Sequence, residues 1–155
     1  MTAPKSVLFV CLGNICRSPS AEAVMTKLAK NQGLTISFDS AGTANYHTGE
    51  PPDPRAIAVG GRLGYALAHL TARQLTTQDF YEFGVIFAMD NNNLASIQKL
   101  KPKDATAQIL LFDDFNKKGV ADPYYGDISD FEQMYTHIIT VSECWLNTWT
   151  NPDTP

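Results

Sequence analysis

The chain alternates short apolar runs with longer segments in which apolar residues recur every three or four positions. Residues 6–10, 85–89 and 108–112 are runs rich in branched and aromatic side chains, and residues 35–40 form a further candidate strand. Apolar runs without polar alternation are typical of strands that are covered on both faces of a parallel sheet. The pattern therefore predicts about four parallel strands.

The segments between these runs have helical spacing. A first helix is predicted to open with Ser18 as its N-cap and to end at Gly33, and others are predicted from Asp53 or Pro54 and over about residues 92–100. The last predicted helix has an apolar face made of Phe131, Met134, Tyr135, Ile138, Ile139, Val141, Cys144, Trp145 and Leu146. Strands that alternate with helices favour an α/β fold, a doubly wound open parallel sheet with helices on both faces.

Composition narrows the class of protein. The 155 residues are 44% hydrophobic and 18% charged, which predicts one soluble domain over residues 1–155. A net charge of -4 argues against general nucleic-acid binding, and no apolar run approaches the length of about 20 residues that a membrane span needs. The three cysteines fit neither a disulfide framework nor a zinc site, so we expect a reducing, cytoplasmic location and no metal.

The loop from residue 11 to residue 18 lies between the first strand and the first helix, where backbone N–H groups and the helix dipole favour an anion. The same field favours the thiolate, nucleophilic form of a cysteine, so Cys11 is the predicted nucleophile. Arg17 offers a planar fork that can bind two phosphate oxygens. Ser18 is spaced to donate its hydroxyl to the Cys11 sulfur. The remaining loop residues, expected to bind phosphate, are Leu12, Gly13, Asn14, Ile15 and Cys16.

Residues 10–19 resemble the signature of the low-molecular-weight protein tyrosine phosphatases. Further segments resemble that family's blocks in its order, namely residues 40–43, 52–55, 69–74, 79–80, 89–90 and 122–126. The resemblance implies a flavodoxin-like fold and hydrolysis of phosphotyrosine and small aryl phosphates through a phosphocysteine, with no cofactor. It also implies that Asp122 is the general acid that protonates the departing phenolate.

The resemblance assigns supporting roles as well. Tyr46, Tyr124 and Tyr125 are expected to wall a cleft that admits a flat phenyl ring. Asn14, Ser40 and His69 match positions that hold the phosphate loop in shape by hydrogen bonds. Cys16 is expected to form a reversible disulfide with Cys11 under oxidant.

Two other functions remain open from the sequence alone. An arsenate reductase on the same scaffold would need further cysteines in its thioredoxin-linked form, and after Cys16 only Cys144 remains, although a glutathione-linked reductase needs fewer. A phosphopeptide-binding module without activity would more often have lost Cys11, Arg17 or Asp122. We therefore expect a phosphatase, a monomer, whose partners are tyrosine-phosphorylated proteins.

Overall fold

The fold is built on one four-stranded parallel sheet. The computed structural model of the protein describes residues 2–151. Its strands are β1 (Ser6–Cys11), β2 (Ser37–Gly42), β3 (Val85–Ala88) and β4 (Gln108–Leu111), in the order β2-β1-β3-β4. The predicted doubly wound parallel sheet is confirmed, although β2 lies two residues further along the chain than the sequence pattern indicated.

Strand β1 lies inside the sheet and is covered on both faces. It pairs in parallel with β2, where Cys11 lies opposite Gly42, and with β3, where Val10 lies opposite Ala88. Its alternate residues enter two separate apolar clusters, with Phe9 in one and Leu8 in the other. This two-sided burial explains why the β1 sequence is apolar throughout.

In the part of the chain that the structure describes, five helices surround the sheet, namely α1 (Arg17–Asn31), α2 (Pro54–Arg62), α3 (Asp79–Glu82), α4 (Asn91–Leu100) and α5 (Ile128–Thr150). The first, second and fifth pack against the cluster that contains Phe9, whereas α3 and α4 contribute Phe80 and Ile97 to the cluster that contains Leu8. The apolar face predicted for α5 is buried, apart from Ile139 and Cys144, which are half-buried. The short helix α3 was not predicted.

The start of α1 differs from the sequence prediction. The helix begins at Arg17, its N-cap position is Cys16, and no side chain caps it. Ser18 is therefore inside the first turn, and its hydroxyl is free to contact the preceding loop. Gly33 does end the helical segment, with φ of 73° and its N–H bonded to Lys30. None of the helices within residues 2–151 is both long and apolar enough to cross a membrane.

The carboxyl ends of β1 and β2 support the loop that follows β1. Thr43 and Ala44 donate backbone hydrogen bonds to the carbonyls of Cys11 and Leu12, at 2.9 and 3.0 Å. A Cβ atom on Gly42 would lie 2.7 Å from the Leu12 carbonyl oxygen, so this close approach requires glycine. The loop is thus tied to the sheet edge at which ligands of such folds bind.

Candidate active site

The loop over residues 11–18, which we call the phosphate loop, takes its shape from Asn14. This residue is buried and has φ of 59°, a left-handed conformation that asparagine tolerates better than most side chains. Its amide Nδ2 donates to the Ser18 hydroxyl at 2.7 Å, and its Oδ1 accepts the backbone N–H of Arg73 at 3.0 Å. The side chain therefore joins the Ser18 end of the loop to the segment that contains Arg73.

Cys11 lies at the base of this loop with its side chain buried. Its Sγ is 3.0 Å from the Ser18 hydroxyl and accepts the backbone N–H of Asn14 at 3.3 Å. Because Ser18 accepts a hydrogen bond from Asn14, its own hydrogen can be donated either to the sulfur at 3.0 Å or to the Ala41 carbonyl at 3.5 Å. Both contacts can stabilise negative charge on the sulfur, the form in which a cysteine is nucleophilic.

Arg17 is almost fully buried, with 4% of its surface exposed. Its Nη1 donates to Asp90 Oδ2 at 2.6 Å and to the Val120 carbonyl at 3.1 Å, and its Nη2 lies 3.7 Å from Asp122 Oδ2. Burial lowers the pKa of the guanidinium, but Cys11, Asp90 and Asp122 raise it, and the net shift is upward. Asp90 thus fixes one edge of a permanently charged fork, a role that sequence reasoning did not assign to it.

Asp122 belongs to residues 121–126, which we call the acid loop. Its side chain is 42% exposed, and its Oδ1 accepts the backbone N–H of Tyr124 at 3.1 Å. The carboxylate lies at the wall of the cavity that contains Cys11, which is where a leaving group would need a proton.

Cys11, Arg17 and Asp122 all line one cavity of about 300 Å³. Its walls are the aromatic rings of Tyr46 and Tyr124, together with Leu12, Ile15, His47 and Tyr125. Tyr46 and Tyr125 are 71% and 95% exposed, so they flank the mouth, whereas Tyr124 is half-buried. His47 was not predicted; its Nδ1 lies 2.6 Å from Glu50 Oε2.

The support of the phosphate loop comes from Arg73 rather than from a histidine. Besides its N–H bond to Asn14, its guanidinium contacts Asp39 and Asp79 at 2.9 to 3.2 Å. Asp79 is buried and also accepts the N–H of Thr76 at 2.8 Å. This ion-pair network fixes the segment that holds Asn14, and its residues lie too far apart in the sequence for local patterns to reveal it.

Two expected supports of the phosphate loop lie elsewhere. The Ser40 hydroxyl donates to Glu22 Oε1 at 2.7 Å, and burial raises the pKa of that carboxyl to about 7. His69 is exposed and lines a second cavity with Glu22, and it forms no hydrogen bond within the described residues 2–151. Among the described residues, the expected hydrogen bonds from Ser40 and His69 to the loop are therefore absent, because Ser40 contacts Glu22 of α1 and His69 lies at the cavity beside that helix.

Cys16 is buried beside the cavity. Burial, and after it the negative charges of Asp53, Cys11 and Asp122, raises the pKa of its thiol. Cys16 is therefore a poor nucleophile at neutral pH unless its surroundings change. Within residues 2–151, no group of three histidine, cysteine or acidic side chains is arranged to hold a metal ion.

The chain is similar to known proteins over most of its length. The family profile described as low molecular weight phosphotyrosine protein phosphatase matches residues 6–151. Proteins of that name from Schizosaccharomyces pombe and Homo sapiens are 44% and 42% identical, covering 94% and 93% of this chain and 97% and 95% of their own. A crystal structure of a protein tyrosine phosphatase from Entamoeba histolytica has a TM-score of 0.89 at 37% identity, covering 96% of this chain and 99% of that one. The chain therefore belongs to the low molecular weight phosphotyrosine protein phosphatase family.

Proposed function

We propose that this phosphotyrosine protein phosphatase uses Cys11 as nucleophile, Arg17 as phosphate clamp and Asp122 as general acid. The observation that supports the proposal most directly is that these three side chains line one cavity, with the sulfur contacted by Ser18 and the guanidinium fixed by Asp90. The alternatives, arsenate reduction and phosphopeptide binding without turnover, receive no support from the comparisons, which agree on the phosphatase.

The first step would transfer the phosphoryl group to sulfur. The Cys11 thiolate attacks phosphorus, the bond from phosphorus to the tyrosine oxygen breaks, and the departing phenolate takes a proton from Asp122. Arg17 and the loop N–H groups bind the three non-bridging oxygens, where the charge of the transition state is spread. The backbone of Leu12, Gly13, Asn14, Ile15, Cys16 and Ser18 forms the proposed phosphate site.

The second step would hydrolyse the phosphocysteine. Water attacks phosphorus, Asp122 now accepts the water proton, and Cys11 leaves as thiolate. The Ser18 hydroxyl and the Asn14 N–H stabilise that leaving group, since both lie within hydrogen-bonding distance of the sulfur. We therefore propose that Ser18 and Asn14 act mainly in the second step, in which the thiolate leaves.

The aromatic walls support tyrosine-phosphorylated proteins as substrates. A phenyl ring can lie between Tyr46 and Tyr124, whereas the shorter phosphoserine side chain would leave its phosphorus above the nucleophile. We further propose that residues 1–155 act as a single catalytic domain, and that the protein is a cytoplasmic monomer that binds neither nucleic acid nor membranes.

The decisive experiment measures single-turnover phenol release from a series of aryl phosphates by wild type and Asp122→Asn. With phosphotyrosine, whose phenolate is basic, the variant should be slower by about 10²- to 10⁴-fold, and with 2,4-dinitrophenyl phosphate the penalty should shrink. If the rate of phenol release depended on leaving-group acidity with the same slope in the two proteins, Asp122 would not be the proton donor.

The nucleophile is tested in the same reactions. Acid quenching of Asp122→Asn with phosphotyrosine should leave phosphate on the peptide that contains Cys11, and Cys11→Ser should show neither adduct nor turnover. Arsenate supplied in parallel with a thiol reductant should not be reduced. Turnover that persists in Cys11→Ser would assign the nucleophile to another residue.

A further inference from the structure

The acid loop has few connections to the rest of the protein. Within residues 2–151, the only hydrogen bonds between this segment and other parts of the chain come from Arg55, whose Nη2 donates to the Tyr124 carbonyl at 2.9 Å and whose Nη1 donates to the Gly126 carbonyl at 3.2 Å. The guanidinium also lies over the rings of Phe131 and Tyr124, at 4.6 and 5.8 Å. Apart from the ion pair of Arg17 Nη2 with Asp122 Oδ2 at 3.7 Å, the polar contacts that hold the loop therefore come from one side chain.

Arg55 is itself fixed by Asp53. Its Nε and Nη2 donate to the two oxygens of that carboxylate at 3.0 and 2.9 Å, a two-pronged pair. Asp53 is buried and caps α2 by accepting the Arg55 N–H at 2.8 Å. Although burial raises the pKa of Asp53, the bonds from Arg55 lower it further, so the carboxylate is charged at neutral pH.

The same pair reaches the phosphate loop. The backbone N–H of Asp53 donates to the Ile15 carbonyl at 2.8 Å, inside that loop. One continuous chain of hydrogen bonds thus runs from Ile15 through Asp53 and Arg55 to Tyr124, and from the Tyr124 N–H to the Asp122 carboxylate. The phosphate loop and the acid loop, which are separated by more than 100 residues in the sequence, are thus joined through Asp53 and Arg55 in addition to the contact of Arg17 with Asp122.

We infer that Arg55 is a positioning residue that aligns the acid loop with the phosphate loop, so that the Asp122 carboxylate faces the bond that breaks. The inference rests on the proposed role of Asp122 as the proton donor. The connection needs a guanidinium, because three nitrogens bind three separate groups at once, which a lysine ammonium on a flexible stem does not reproduce.

The test compares wild type, Arg55→Met, Arg55→Lys and Asp122→Asn in single-turnover phenol release. Methionine keeps the length and apolar stem of the side chain but forms none of its hydrogen bonds. A misplaced acid should slow phosphotyrosine cleavage by about 10- to 100-fold in both Arg55 variants and slow 2,4-dinitrophenyl phosphate much less. The matched control is Arg62→Met at the other end of α2, where the guanidinium is exposed and only 4.0 Å from Glu132.

A double variant separates this inference from a general loss of structure. Adding Arg55→Met to Asp122→Asn should leave the leaving-group dependence of Asp122→Asn unchanged, since no proton donor remains to be misplaced. A damaged phosphate loop would instead slow all the substrates by a similar factor in either background.

The outcomes distinguish the positioning role of Arg55 from the acid role of Asp122. Suppose that the rate of phenol release depends more steeply on leaving-group acidity in Asp122→Asn than in wild type, but as in wild type in Arg55→Met. This result overturns the positioning role of Arg55 and leaves Asp122 as the general acid. Parallel dependences in Asp122→Asn overturn the acid assignment itself. If Arg55→Met does not fold, as judged by circular dichroism, the same measurement on Arg55→Lys decides the question.

Discussion

The phosphate loop and the acid loop contribute to the same cavity but are built in different ways. In the phosphate loop the side chains of Cys11, Asn14, Arg17 and Ser18 are buried, and each contacts at least one of the others or a neighbouring segment. In the acid loop Asp122 is half exposed, Tyr125 extends into solvent, and the bonds to other segments come from Arg55.

The difference corresponds to the two tasks that we propose for the site. An anion receptor stabilises charge best when its donors are already in place, because no energy is then spent on orienting them during the reaction. A proton donor must instead let the product leave and water enter between the two steps. A phosphate loop with many contacts and an acid loop with few contacts meet both needs. Substitutions in the two loops should therefore reduce activity in different ways.

The largest effect should come from breaking the rigid receptor at Arg17. Arg17→Lys keeps the charge but cannot contact Asp90, Val120 and the phosphate together, so we expect a fall in kcat/KM of about 10³-fold or more, close to that of Arg17→Ala. Steady-state hydrolysis of phosphotyrosine measures it, with Arg62→Lys as the matched control. A lysine variant within a few-fold of wild type would refute the two-pronged clamp.

A smaller effect is expected from loosening the same loop at Asn14. Asn14→Gly keeps the left-handed backbone but loses the bonds to Ser18 and Arg73, and we expect kcat/KM to fall by about 10- to 100-fold. Asn14→Ala should be similarly slow and less stable than Asn14→Gly by about 1 kcal/mol, because alanine is strained at this φ. Urea unfolding measures that difference.

Lys117 provides the control for backbone strain alone. It also has a positive φ, 52°, but is exposed and away from the cavity. Lys117→Ala and Lys117→Gly should show the same difference in unfolding free energy while keeping wild-type kcat/KM. If Asn14→Gly were fully active, the side-chain bonds would not shape the loop.

The smallest effect on activity is expected after oxidation. We expect Cys16 to form a disulfide with oxidised Cys11, and we expect this reaction to be slow. Peroxide converts the Cys11 thiolate to a sulfenic acid with release of hydroxide, and the Cys16 thiolate then displaces hydroxide to form the disulfide. Because burial raises the pKa of Cys16, its thiolate fraction and the rate of this second step should rise about tenfold per pH unit between pH 6 and 9.

The measurement is a short peroxide pulse followed by trapping of the remaining sulfenic acid with dimedone and mass spectrometry. Cys16→Ala should keep the sulfenic acid and lose, several-fold, the activity that a dithiol restores. Recovery equal to that of wild type would contradict the disulfide, and a pH-independent rate would contradict the raised pKa.

The fold could be predicted from the sequence wherever consecutive residues of one segment are buried together. The apolar runs located β1, β3 and β4 to within one residue. Strands β1 and β3 lie inside the sheet and are covered on both faces, whereas the edge strand β4 is apolar only after its exposed Gln108. Helix α3, with four residues, is too short to produce a periodic signal. Ser18 was misassigned as a cap because a serine before a helical segment looks the same whether its hydroxyl contacts the helix or the sulfur of Cys11.

The site was less accessible to such reasoning. Cys11, Arg17 and Asp122 could be named because their chemistry and the family resemblance agree, and the structure brings them to one cavity. Arg55 and Arg73 were missed because their partners lie up to 71 residues away, and His69 was misplaced because no local pattern tells which way a side chain on a loop turns. Contacts between distant segments need the folded chain.

The hydrogen bonds of Arg17 also have a consequence for folding during synthesis. A ribosome releases the chain from its amino end, so Cys11 and Arg17 emerge long before the groups that hold the Arg17 guanidinium. Asp90 and the Val120 carbonyl, which hold the Arg17 guanidinium, belong to the second half of the chain. A nascent chain that has not yet reached these residues carries the signature but no assembled anion site. We therefore expect no activity before residues 90 and 120 have been synthesised and can contact Arg17.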